Sequence, residues 1–334
     1  MKLSMKFMLI FLVVSLVASM VLASYSSYTY NKISEGRIHK HLEDIVKIRT
    51  NHIETFLEGE KKRVIDFSSD GFIKNNLMKL KDNPSKELMQ TLSEHLINNK
   101  IIVDESIYEI DVLNNEGKVV GTTNPDEETG EDFSKDLIFL EGKKAPYVKD
   151  IFYDEEFKRD GITLSAPVSN EEEFLGVIII KITFDELGEI VVSAGKFSQY
   201  EELYILDKNS FMITPSKFLK GENKGILTQK VDTENAKNCL DTISVNNEKE
   251  NTQIDHFLNY RGEEVVGIYN HIPDTSWCLL IEIEVKGGLK IPQKEFLKSQ
   301  IIISIFVITL LTLFGFFAGK NLDKKFLLKE KRGK

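Results

Sequence analysis

The sequence of 334 residues lacks the patterns by which many enzymes and metal sites are recognised. Its six histidines form no His-x-x-x-His pair, and His39 and His41 lie two positions apart, so their side chains diverge on a helix. It contains no Gly-x-Ser-x-Gly elbow, Walker loop or glycine-rich dinucleotide turn. We therefore expect a protein that is not an enzyme and that carries no cofactor and no metal.

Cysteine and tryptophan are scarce. The two cysteines are Cys239 and Cys278, and neither follows the N-terminal apolar run, which excludes a lipoprotein anchor. They would form one disulfide in an oxidising compartment. The competing interpretation, which we favour, is two unrelated buried thiols. The single tryptophan, Trp277, begins an apolar strand and is expected in a hydrophobic core.

Charged residues are missing from two apolar runs, residues 7–23 and 301–319. A helix rises about 1.5 Å per residue, so each run just crosses a hydrocarbon core of about 30 Å. We expect transmembrane helices at residues 7–24 and 301–319. Lys2, Lys6 and the small residues that close the first run also resemble a cleavable signal peptide. We favour an uncleaved anchor, because the run is longer than usual and a helix-compatible pattern follows it.

The distribution of charge predicts the orientation in the membrane. Residues 1–6 carry a net charge of +2 and residues 320–334 a net charge of +5, which leaves −16 for residues 7–319. Basic residues favour the cytoplasmic side, so we expect both termini in the cytoplasm and the large middle segment outside the plasma membrane. Such an acidic segment does not attract nucleic acid, so its expected partners are small molecules or proteins. We interpret the basic tail as a topology anchor rather than a lipid-recognition segment.

The first part of the middle segment has a helical pattern. Apolar residues recur every three to five positions from residue 30 to about residue 70, and no proline interrupts them. The pattern predicts one helix of roughly 60 Å. A helix of this length either packs along two stacked modules or pairs with a second copy in a dimer. A second helix is predicted at residues 85–98, which completes a helical region at residues 25–100.

The hydrophobic period then changes to that of strands. Two successive modules, residues 101–196 and 197–285, share the order strand, turn, strand, insert and three-stranded meander. Strands are predicted at residues 106–113, 118–124, 145–153, 162–168, 175–184, 202–206, 211–214, 254–260, 264–272 and 276–284, with helical inserts at 186–194 and 226–242. Each module has enough residues for its own core. Residues 286–300 form a linker to the second span.

These strands carry a family resemblance. The runs EIDVLNNEGKVVGTTN, PYVKDIFY, ITLSAPV and LGVIIIKITFDEL resemble the membrane-distal half of double Cache (dCache) sensors. The runs YILDKNSFMITPSKF, RGEEVVGIYNHIP and TSWCLLIEIE resemble the membrane-proximal half, although Asn209 and Ser210 stand where the family usually has glycine. The resemblance implies an α+β fold: a long N-terminal helix and two stacked PAS-like antiparallel-sheet modules, flanked by two transmembrane helices. It also implies ligand binding in the distal module, transmission by the proximal module and a parallel homodimer along the long helix.

The most informative single residue is Lys181, which interrupts the apolar run at residues 177–182. Burying an ammonium group without a partner is costly, so it should face a carboxylate, a ligand or water. One interpretation is a structural lysine that reaches solvent or pairs with an internal acid such as Asp111 or Asp150. The other is a residue that binds a ligand.

The resemblance extends the second interpretation. Amino-acid-binding dCache domains carry an aspartate at the position of Lys181 and an upstream Arg-x-Trp-Tyr motif that this sequence lacks. A lysine is similar to the arrangement in carboxylate-sensing relatives, including dicarboxylate sensor kinases. We therefore expect a small anionic carboxylate bound by Lys181. The residues expected to assist are Thr163, Ser165, Tyr147, Tyr108 and Asp150.

Two acidic features have competing interpretations. Asp150 and Asp154 lie where ligand-binding acids occur in amino-acid sensors, but we favour internal partners or solvated turn residues for both. The acidic loop at residues 125–130 lacks the ligand spacing of an EF-hand, so a solvated loop is favoured over a calcium site.

Taken together, these features predict a transmembrane sensor of extracellular small molecules. Only 15 residues follow the second span, too few for a kinase or a chemotaxis signalling domain. We expect either a separate cytoplasmic signalling protein or a truncated receptor. The alternative is a membrane-anchored adhesion or scaffold protein without a ligand.

Overall fold

The computed structural model describes residues 2–125, 129–154, 157, 159–171, 173–192, 199–221, 223–244 and 255–332. It divides into two compact units. One comprises Met1–His41 and Ile283–Lys334, and the other comprises Leu42–Glu282.

Two long helices contain the two apolar runs. Helix α1 is Leu3–Ser68, and helix α7 is Ile291–Arg332. Both are long and apolar enough to cross a membrane, as the composition predicts. A six-residue π-helical turn, Val285–Lys290, leads into α7.

The apolar ends of α1 and α7 pack closely in the first unit. A β-carbon on Gly319 would lie 2.5 Å from the Ser4 α-carbon, and one on Gly315 would lie 2.9 Å from Phe11. Gly315 and Gly319, four positions apart on α7, therefore allow α1 to pack closely against α7. At the other end of the pair, Tyr30 stacks on Phe296 with ring centroids 4.3 Å apart.

The helical region of the second unit contains one helix that the sequence analysis did not predict. Helix α2, Gly71–Asp82, begins at Asp70, whose carboxylate accepts the Phe72 amide at 2.7 Å as an N-cap. Helix α3, Lys86–Asn99, confirms the prediction at residues 85–98.

The distal module is a five-stranded antiparallel sheet. Its strands are listed in chain order: β1 Ile107–Asn114, β2 Val119–Thr122, β3 Tyr147–Asp154, β4 Arg159–Ser169 and β5 Phe174–Thr183. The spatial order is β2-β1-β5-β4-β3, so β5 is the central strand. Two short helices accompany the sheet, α4 Leu137–Gly142 and α5 Asp185–Val192. All five strands were predicted from the sequence, and α4 was not.

The proximal module is a four-stranded sheet in the order β6-β9-β8-β7. Its elements are β6 Glu201–Leu206, α6 Glu234–Ser244, β7 Asp255–Leu258, β8 Glu264–His271 and β9 Cys278–Glu284. Trp277 lies in its core with 1% of its surface exposed, as expected.

Two expectations for the proximal module were wrong. The strand predicted at residues 211–214 is reduced to isolated bridges, from Met212 to Leu206 and from Phe211 to Lys230. The cause is a tight turn in which Ser210 has a φ of 68° and the Asp207 carboxylate accepts two following amides. Cys239 and Cys278 are not unrelated thiols: they form a disulfide that joins α6 to β9.

The part of α1 within the second unit contacts both modules. The Asn270 amide donates to the Thr50 hydroxyl at 3.1 Å, and Lys61 pairs with Asp274 at 3.1 Å in the proximal module. Arg63 pairs with Asp104, just before the distal sheet, at 2.9 Å. Of the two arrangements considered for the long helix, packing along the modules is therefore observed for this part.

Candidate ligand-binding site

The centre of the distal sheet carries a row of polar side chains. Lys181 on β5 lies directly opposite Glu109 on β1 and Thr163 on β4. Directly opposed residues of antiparallel strands project to the same face, so the three side chains share one face of the sheet.

Lys181 forms an ion pair with Glu109. The side chain of Glu109 has no exposed surface, whereas 20% of the Lys181 side chain is exposed. A buried carboxylate is tolerable only when it is paired and hydrogen-bonded, and this pair meets that condition. The acids named from the sequence as internal partners were Asp111 and Asp150, and Glu109 was missed.

The buried end of the pair is surrounded by further hydrogen bonds from β1 and β2. The Asn124 amide lies 3.5 Å from Glu109 Oε2, and the Thr122 hydroxyl donates to Asp111 at 2.7 Å. Asn124 also donates its backbone N–H to the Thr122 hydroxyl at 3.1 Å. Glu109 and Asp111 are therefore held in place from the side of β2, so the exposed side of the pair is the Lys181 ammonium.

Tyr147 and Ser165 lie in the next row of the sheet and face each other across β3 and β4. Ser165 is fully buried, and its hydroxyl donates to the Ile138 carbonyl of α4 at 2.8 Å. Tyr147 is half-buried and packs against the apolar cluster beneath α4. The Ser165 hydroxyl therefore fixes α4 on the sheet.

Helix α4 is also fixed by a surface ion pair. Lys149 donates to Asp136 at 2.9 Å, and the same carboxylate accepts the Ile138 amide at the start of α4. Although burial alone would raise it, the pKa of Asp136 is lowered by these two donors.

Tyr108 lies at one end of the polar face. Its hydroxyl is 3.4 Å from Asp154, and the Arg159 guanidinium lies 5.2 Å from the centre of its ring. Burial, Asp154 and Glu109 raise the pKa of Tyr108, so it remains a hydrogen-bond donor at neutral pH. Asp154 is buried and also accepts the Phe157 amide, which agrees with the expected internal role.

Two of the sequence-based candidates lie outside the described residues. The backbone of Asp150 belongs to β3, but its side chain is not among those described. Residues 126–128 of the acidic loop are likewise outside the described part. Within the described ranges, no group of three His, Cys, Asp or Glu side chains has the arrangement of a metal site.

A cavity of about 770 Å³ lies where the distal module meets the proximal module. It is lined by Phe157, Arg159, Asp160, Thr183, Phe184, Asp185, Gly188, Glu189, Pro215 and Ile226. Burial and the neighbouring Asp185 raise the pKa of Asp160. Arg159 contacts both this cavity and Tyr108, and so connects the junction to the polar face.

Two antiparallel sheets lie along one helix, and the distal sheet has a polar face. These features define the class of the protein as an extracellular-type sensor domain. Residues 30–287 match the dCache_1 model of the Cache domain. The chain therefore belongs to the Cache domain family, as its strand and turn patterns suggested.

Solved structures agree with this assignment. The ligand-binding domain of the Campylobacter jejuni chemoreceptor Tlp3, with 4-methylisoleucine, is 14% identical with a TM-score of 0.54, covering 77% of this chain and 94% of that one. The Pseudomonas aeruginosa PAO1 chemoreceptor PctB, with L-Arg, is 10% identical (TM-score 0.51; 75% and 97% covered). The V. cholerae histidine kinase DctB sensor domain is 12% identical (TM-score 0.53; 77% and 98% covered). At these identities the likeness concerns the fold. No curated protein matches the chain by sequence.

Proposed function

We propose that the chain is a membrane-anchored sensor whose distal module binds a small molecule that carries a carboxylate group, with Lys181 contacting that group. The observation that carries this proposal is the unequal burial of the Lys181–Glu109 pair. Glu109 is fully buried and orients the ammonium group from below. The Lys181 side chain remains 20% exposed, so a ligand on the sheet face can contact it.

The pair also suggests the charge of the ligand. Glu109 neutralises Lys181, so the pair attracts a dianion less strongly than an isolated lysine would. An α-amino acid, which carries one carboxylate and no net charge, is therefore a better candidate than a dianion. The Tlp3 and PctB domains were solved with amino acids or analogues of them, which fits this ligand class.

The remaining site residues have different proposed roles. Thr163, which lies opposite Lys181, is proposed to donate its hydroxyl to the same ligand. Tyr108, Tyr147 and Asp150 are proposed to line the edges of the site. Ser165 is proposed to act indirectly, through its hydrogen bond to α4.

The wider receptor is also part of the proposal. The two apolar helices would anchor the chain in the plasma membrane, with both termini in the cytoplasm and the Cache modules outside. A homodimer along α1 would bring two copies together. A separate cytoplasmic signalling protein would receive the signal.

Calorimetric titration of the full chain in detergent with panels of amino acids and organic acids tests the ligand site. Loss of one charge-assisted hydrogen bond costs about 1.5–3 kcal/mol, so Lys181→Ala should weaken binding of a ligand found in the screen about 10- to 100-fold. Lys144→Ala is the matched control, because Lys144 is exposed and pairs with exposed Glu141. Equal affinity of Lys181→Ala and the wild type would reject the site. If no member of either panel changes the melting temperature of the chain, the adhesion or scaffold alternative is favoured.

A further inference from the structure

The core of the proximal module contains two buried glutamates. Glu202 on β6 is 3% exposed and Glu282 on β9 is 2% exposed, and β6 and β9 are neighbouring strands. Gly267 on β8 leaves space for one of them: a β-carbon there would lie 3.2 Å from Glu282 Cγ and 2.7 Å from the Ile281 carbonyl oxygen. The backbone is therefore shaped to admit the Glu282 side chain into the core.

The two carboxylates have unequal environments. Glu202 accepts hydrogen bonds from the Ser216 hydroxyl at 2.6 Å, the Lys217 amide at 3.0 Å and the Tyr260 hydroxyl at 2.8 Å. Three donors satisfy it as a carboxylate. Glu282 has two donors: its Oε1 accepts the Tyr204 hydroxyl at 2.5 Å, and the Asn259 side chain is the other. Of the two, Glu282 is therefore the group that is better suited to hold a proton.

The charged and titratable groups around Glu282 come from two parts of the module. Strand β6 contributes Glu202 and Tyr204, and the turn between β7 and β8 contributes Tyr260 and Arg261 together with the neutral amide of Asn259. Arg261 lies over the Phe218 ring at 3.8 Å, which holds its guanidinium beside the cluster. One cation thus faces two buried acids.

We propose that this cluster makes the proximal module a proton-responsive second input, in which Glu282 is neutral in mildly acidic surroundings and charged in mildly alkaline ones. Loss of the proton places a second negative charge beside Glu202 across the β6–β9 pair. The repulsion acts on β9, and β9 is the strand that continues through the turn Val285–Lys290 into α7. The input is separate from the distal ligand site and does not depend on it.

The electrostatics support this assignment. Burial raises the pKa of Glu282 to about 7, the Tyr204 hydrogen bond opposes that rise, and the charge of Glu202 adds to it. Burial and Glu282 raise the pKa of Tyr204 well above its ordinary value, so it remains a donor throughout this range. The proton is thus exchanged at Glu282 and not at the tyrosine.

The single tryptophan provides the measurement. Trp277 is 1% exposed and immediately precedes β9, so its fluorescence should report a change in that strand. The experiment follows its emission from about pH 5 to about pH 9 in the full chain, held in phosphatidylcholine nanodiscs. The wild type should show a transition near pH 7, and Glu282→Gln should abolish it.

Two further variants keep the proposal testable even if Glu282→Gln does not fold. Glu202→Gln removes the neighbouring charge and should lower the midpoint, whereas Tyr204→Phe removes the hydrogen bond and should raise it. His271 contacts the Thr275 carbonyl oxygen at 2.8 Å, close to Trp277, so His271→Gln is the control and should retain the wild-type midpoint. An unchanged transition in Glu282→Gln, its loss in His271→Gln, or shifts of equal sign in the other two variants would overturn the proposal.

Discussion

Replacing Lys181 with methionine would leave a fully buried carboxylate without its cation. Removing one partner of a buried ion pair costs about 3–5 kcal/mol, and the partial exposure of Lys181 favours the lower end of that range. For a folded region of this size, about 3 kcal/mol corresponds to a decrease in Tm of roughly 6–12 °C. Thermal unfolding of the full chain in detergent at pH 7, followed by circular dichroism, measures the decrease.

A double variant tests the physical reason for this loss. In Lys181→Met/Glu109→Gln the buried group is a neutral amide, which costs less to leave without a charged partner. We expect the double variant to recover at least half of the lost Tm. Lys144→Met is the control and should change the stability by less than about 0.5 kcal/mol, because Lys144 is exposed. Strictly additive effects of the two single substitutions would refute the coupling.

Three other predictions concern the proximal module. Reduction of the Cys239–Cys278 disulfide, or its replacement by two serines, should destabilise the fold by about 4 kcal/mol for a sequence separation of 39, as measured by urea unfolding with and without reductant. Because the pKa of Glu282 is raised, its contribution to the free energy of unfolding is fully present below about pH 4.5 and is lost as the pH rises through about 7. The free energy of unfolding of the wild type should therefore fall by roughly 3 kcal/mol over that range, and Glu282→Gln should remove this fall. Gly267→Ala should cost about 1–3 kcal/mol, because the added β-carbon would meet the Ile281 carbonyl oxygen at 2.7 Å; an unchanged urea midpoint would contradict this packing.

The strands were largely predictable because local patterns determine them. Alternating apolar residues and turn residues such as Gly117 define the distal strands without reference to the rest of the chain. The prediction of a strand at residues 211–214 was wrong because a local pattern competed with side-chain chemistry: the Asp207 carboxylate accepts the Phe211 amide, which would otherwise extend the ladder. Helix α2 was missed because its start depends on the Asp70 cap rather than on a break in periodicity.

The site was predictable only in part, because strand order is not a local property. Lys181 was recognised because a single charge interrupts an apolar run. Glu109 alternates with Ile110 in β1, a pattern typical of a half-exposed strand. Only the placement of β1 beside β5 brings Glu109 opposite Lys181. The disulfide was not predicted for the same reason, because its two thiols meet only after α6 has packed on the sheet that contains β9.

In the proposed membrane-anchored arrangement, the close packing at Gly315 and Gly319 would limit how two copies of the chain meet within the bilayer. Glycines four positions apart are a common surface for association of transmembrane helices. Here that surface is already covered by Ser4 and Phe11 of the same chain. Two copies would have to meet through the outward faces of the spans, where side chains such as Val17, Met20 and Phe306 are exposed. A bulky residue at Gly319 would accordingly disturb each protomer before it disturbed any assembly of protomers.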